Sequence, residues 1–139
     1  MTPFKNANVQ NVFETYPVHI RQKLGLLREL SFSVASETEG VAELEEVLKW
    51  GEPAYLTVQS KSGSTIRMGW KASRPEEYFL YFNCKTTLVE TFRLLFPNDF
   101  IFEGHRAIVF KGQNDPAVDA LRLCIEMALT YHLKKSITS

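Results

Sequence analysis

Lys49-Trp50-Gly51-Glu52-Pro53-Ala54-Tyr55 divides the chain into two kinds of sequence. Before this stretch apolar residues recur at helical spacing; after it they alternate with a period of two. Gly51 suits the left-handed conformation that closes a helix. Pro53 cannot continue a helix and biases Glu52 towards extended backbone. Trp50 and Tyr55 flank the break, each with an apolar body and a polar tip. The stretch therefore predicts an α+β chain that changes from helix to strand at this point.

Towards the N-terminus, Val41, Leu44, Val47 and Leu48 read as the buried face of a helix over 37–49. Ser36 with Glu39 three residues on has the form of a capping box at its start. Glu39, Glu43 and Glu46 then form an acidic stripe on the opposite side. Further back, Ile20, Leu24, Leu27, Leu30, Ser31 and Val34 trace one face of a helix over 17–35, with Arg21, Lys23 and Arg28 off that face. Val9, Val12, Phe13 and Tyr16 give a short helix that Pro17 stops, and residues 1–7 read as a loose lead-in.

Towards the C-terminus, 54–59 and 65–71 alternate as strands on either side of the turn residues 60–64, and 77–83 is a third strand, aromatic on both faces. Thr87 and Glu90 suggest a capping box for a helix that reaches about residue 96. The segments 100–103 and 106–110 flank Gly104-His105, the pattern of a type II′ hairpin. Asp115 and Pro116 open a last helix whose inner face carries Val118, Leu121, Ile125, Ala128 and His132, with Lys134 and Lys135 near its end. The expected fold is a single α+β domain over 1–139. Its sheet is mainly antiparallel and five-stranded, a three-strand meander plus a hairpin, with helices packed against it.

Composition narrows the function. The chain has 139 residues, 45% of them apolar, enough for a real core. Sixteen basic and sixteen acidic residues leave no net charge, which argues against nucleic-acid and membrane-surface binding and leaves a homodimer open. No apolar run reaches membrane-spanning length, residues 1–6 lack a signal-peptide core, and two cysteines make no disulfide framework, so the expected location is the cytoplasm.

Trp50-Gly-Glu-Pro-Ala-Tyr55, followed by a β-meander containing Arg67, then a helix, a hairpin and a closing helix, resembles the YdhG-like bacterial domains over roughly residues 10–134. Members of that family are compact α+β proteins compared with frataxins and sometimes labelled iron chaperones. The chain reads as a non-enzymatic binding protein, and the resemblance implies that it handles iron, weakly bound as a hard cation by carboxylates of an acidic ridge; here that ridge is Glu39, Glu43 and Glu46. The alternative for these residues is a solvated helix face.

The residues themselves offer a second site. Trp50, Tyr55, Arg67, Trp70 and Arg106 suggest an aromatic cleft whose two guanidinium groups hold a small anionic metabolite. Against this stands a structural pairing of Glu103 with Arg106 across their hairpin, and a Trp50 that fills the core. A third reading is a protein-interaction module. Cys84, before a helix start, is weighed as a nucleophile with His105 or His19 as base, and Cys124 as core. The chain contains no P-loop, dinucleotide fingerprint, HExxH or Gly-x-Ser-x-Gly motif.

Overall fold

The computed structural model describes residues 1–133, so the expectation for Lys134 and Lys135 lies outside the described residues. Asn6 caps α1 (Ala7–Thr15): its side-chain oxygen accepts from the backbone N–H groups of Asn8 and Val9. Pro17 separates α1 from α2 (Val18–Glu37), whose Ile20, Leu24, Leu27, Leu30 and Val34 are buried as their spacing requires. Arg28 departs from expectation. It is only 1% exposed, and it organises the N-terminal end of the molecule.

The helix expected over 37–49 is not formed. Ser36 Oγ donates to Ser33 O and Thr38 Oγ1 to Val34 O, so these hydroxyls serve the last carbonyls of α2 and do not open a new helix. Gly40 and Ala42, both at positive φ, lead the chain out of α2 into β1 (Glu45–Lys49). From Leu44 onward the true period is two, with Leu44, Glu46 and Leu48 towards the core and Val47 and Lys49 away from it. An acidic residue at the inward position of Glu46 hid that alternation.

β1 pairs with β2 (Glu52–Leu56), Lys49 opposite Glu52, through the two-residue turn Trp50-Gly51. Both turn residues have positive φ, 54° and 77°, the pattern of a type I′ hairpin. The deciding stretch is thus a strand-to-strand turn and not a helix end. β3 (Ile66–Gly69), β4 (Glu77–Phe82), α3 (Leu88–Leu95), β5 (Ile101–Glu103), β6 (Ala107–Lys111) and α4 (Val118–Leu129) follow. The sheet has six antiparallel strands in the order β1-β2-β3-β4-β6-β5, one more than expected because β1 joins the meander. β5 and β6 are joined by Gly104-His105-Arg106, with Glu103 opposite Ala107, a three-residue loop where two were expected. Asp115 does not cap α4; its carboxylate takes Lys23 instead.

One sheet face carries Tyr55, Ile66, Met68, Tyr78, Leu80, Phe82, Ile108 and Phe110 into a core with all the buried apolar residues of the helices. The other carries a separate cluster, Phe79, Tyr81, Ala107 and Val109, drawn entirely from the sheet. Its rings are roofed by cations: Arg67 lies 4.7 Å from the Tyr81 centroid, and Lys71 and Arg74 lie 4.9 and 4.8 Å from that of Phe79. Among the described residues, no helix is long and apolar enough to cross a membrane.

The lead-in is tied down. Arg28 donates to Thr2 O at 2.6 Å and to Pro3 O at 3.3 Å, and Thr2 donates from its backbone and hydroxyl to Glu29. Arg28 also grips Glu46 with two nitrogens, at 2.6 and 3.1 Å, and Tyr55 Oη donates to the same carboxylate at 2.7 Å. This network satisfies the charge that burying Arg28 would otherwise leave exposed to a low dielectric.

Candidate functional site

The face without helices holds a cleft of about 380 Å³. Three antiparallel registers build it. Arg67 on β3 lies between Ala54 on β2 and Tyr81 on β4, and Tyr81 lies beside Ala107 on β6. The β1–β2 turn brings Lys49 and Trp50 to the cleft, the end of β4 and the residues after it bring Phe82, Asn83 and Cys84, and the β5–β6 loop brings Arg106; Leu56 and Thr65 complete the lining.

Trp50 is 89% exposed, although it is the largest apolar ring at the site and stands at a left-handed φ that a bulky residue rarely adopts. Arg67 is mostly buried, and its Nε lies 2.9 Å from Glu52 Oε1. That contact is ionic and poorly aligned for a hydrogen bond, because the Nε finds no bond of good geometry while being sealed from water. Glu52 folds over Gly69: a Cβ at that position would lie 2.0 Å from the Glu52 Oε2, so glycine is what lets the carboxylate reach Arg67. Burial raises the Glu52 carboxyl above its ordinary value, while Arg67 and Lys71 pull it back down. Burial, with the Glu52 charge adding to it, pushes the Tyr81 phenol up to about 12, so it remains a neutral donor.

Among the described residues, no carboxylate lines the cleft. Among the described residues, Lys49 and Arg106 have no carboxylate partner. Arg106 Nη2 donates to Cys84 Sγ at 3.8 Å, and the pairing expected between Arg106 and Glu103 does not form, because Glu103 accepts from Arg74 at 2.7 Å. Of the aromatic and cationic residues expected to share a site, Trp50, Arg67 and Arg106 come together. Tyr55 and Trp70 do not. Tyr55 is fully buried on the core face, where Glu46 takes its hydroxyl. Trp70 packs against that core beside Tyr16 and donates its indole N–H to Pro75 O. Lys49, Thr65 and Asn83 were not singled out from the sequence; once Trp50-Gly51 is read as a hairpin turn, strand parity places Lys49 on the outer face.

The acidic residues disperse with the loss of their helix. Glu46 is enclosed by Arg28 and Tyr55, Glu43 pairs with Lys5 at 3.1 Å on the surface, and Glu39 lies in the turn after α2. Among the described residues, no group of three or more His, Cys, Asp or Glu side chains is placed to hold a metal ion. Cys84 is exposed with Arg106 as its polar neighbour, while His105 and His19 stand against Glu90 and Glu76. Cys124 is core, and burial pushes its thiol up to about 12. Comparison with family models, with curated proteins and with solved structures finds no match to this chain.

Proposed function

We propose that this protein binds a small organic anion in the cleft between Trp50, Arg67 and Arg106. One observation carries the reading: an exposed tryptophan held at positive φ overlooks a cleft whose lining, among the described residues, has three cations and no carboxylate. Backbone strain at a solvent-facing ring makes no contribution to folding and is the kind of feature that accompanies recognition. The guanidinium groups of Arg67 and Arg106 suit a carboxylate or phosphate, and the indole suits a flat apolar body attached to it.

Calorimetry with aromatic carboxylates and aromatic phosphates tests this reading. Saturable binding is expected in the wild type and loss of about tenfold or more in affinity is expected for Arg106→Ala, which removes one charge-assisted contact. Binding that is indifferent to both Arg106→Ala and Trp50→Ala would overturn it.

A further inference from the structure

The cleft does not treat all anions alike. Its lining supplies three positive charges, Lys49, Arg67 and Arg106. Glu52, seated over Gly69, is committed to Arg67 and cancels one of them. Lys49 and Arg106 have no carboxylate partner among the described residues, so two charges are left to a ligand. The arrangement on Arg67 is also directional. Glu52 occupies the Nε side and Tyr81 lies under the guanidinium plane, which leaves the two terminal nitrogens as the donors that a ligand can meet. A group with two charges and several acceptor oxygens fits two free cations and a forked donor better than a group with one charge.

We propose that the ligand is an organic phosphate monoester, selected as the dianion, and that Glu52 and Gly69 act as positioning residues that aim Arg67. This inference rests on the anion-binding reading and goes beyond it by naming the ligand's charge and head group. The titratable and charged groups facing such a ligand are Lys49, Arg67, Tyr81, Cys84 and Arg106, with Glu52 behind Arg67. Lys71 acts on Glu52 from just beyond β3.

The test compares phenyl phosphate with phenyl sulfate by calorimetry. The two share a ring and a tetrahedral head, but the phosphate gains its second charge near a pH of about 6 while the sulfate ester stays a monoanion. At about pH 7.5 the phosphate is expected to bind about tenfold more tightly, the size of one further charged contact in a partly open site. Near about pH 5, where both carry one charge, the ratio is expected to fall towards one. Near about pH 5 both probes carry one charge, so a protein group that has titrated by then acts on the two alike and does not separate them. Arg106→Gln, a change at an exposed side chain, is expected to lower the ratio at the higher pH, whereas Gly69→Ala, which displaces Glu52 and frees the Arg67 charge, is expected to raise it. Equal binding of the two probes at both pH values overturns the dianion inference and leaves the anion cleft standing. Failure of phenyl phosphate, phenyl sulfate and benzoate alike to bind removes the anion reading and this inference with it.

Discussion

Trp50 is the residue whose surroundings decide most. A two-residue turn with positive φ at both positions favours Asn-Gly, because asparagine tolerates the left-handed region and tryptophan does not. Trp50→Asn is therefore expected to stabilise the protein by about 0.5–1 kcal/mol, measured by chemical denaturation, and to weaken ligand binding. Trp50→Ala is expected to change stability by less than about 1 kcal/mol, since a ring that is 89% exposed leaves no cavity behind. A loss of about 3–5 kcal/mol in that variant would place the indole in a core. The prominence of Trp50, Arg67 and Arg106 was legible in the sequence. The separation of Tyr55 and Trp70 from them was not, because it depends on which face of β2 and β3 turns inward. An alternation such as Ala54-Tyr55-Leu56 is apolar on both faces and does not show which one that is.

At the scale of elements, β1 shows how one buried ionic residue can disguise a strand. Leu44, Glu46 and Leu48 alternate inward, but the glutamate between two leucines leaves the helical spacing of Val41, Leu44, Val47 and Leu48 as the more regular apolar pattern. The partner that makes Glu46 tolerable is Arg28, which lies 18 residues away in sequence and itself reads as lying off the apolar face of its helix. Neither half of the pair is legible without the other. Glu46→Ala is expected to cost about 3–5 kcal/mol in a denaturation experiment, because it leaves a buried guanidinium with too few partners and the Tyr55 hydroxyl with none. A cost under about 1 kcal/mol would show that Arg28 reaches water in the variant. The other strands and helices were readable within a few residues, since their apolar spacing is uninterrupted and their turns carry Gly, Pro, Ser or Asp.

For the whole molecule, the α+β class and the antiparallel sheet were legible, whereas the insertion of β6 between β4 and β5 required pairing that no local signal encodes. The result is a sheet with helices on one face and a second face sealed by long charged side chains. Those charges give the fold a definite response to pH. Hydrogen bonds from Lys111 and then Arg74 hold the Glu77 carboxyl below its ordinary value of 4.5. At Glu29 burial pushes the carboxyl up, but hydrogen bonds from Thr2 and the Arg28 charge outweigh it and the net direction is down. Between the lowered native values and 4.5 the unfolded chain binds more protons than the native one, so stability rises with pH there. The contribution is complete above 4.5 and is lost as pH falls through the native values. Glu52, raised by burial, works in the opposite sense: its contribution is present below 4.5 and fades as pH rises through its native value. Denaturation midpoints followed from neutral to acid pH are expected to fall less steeply in Glu77→Gln than in the wild type.

The most direct measurement of the central claim is a heteronuclear NMR titration that follows the side-chain N–H signals of Trp50, Trp70, Arg28, Arg67 and Arg106 as phenyl phosphate is added. The cleft account predicts saturable shifts for Trp50, Arg67 and Arg106 with one common affinity, while Trp70 and Arg28, on the core side of the sheet, stay in place. Shifts centred on Trp70 and Arg28, or no saturable shift at Arg67 and Arg106, would contradict it.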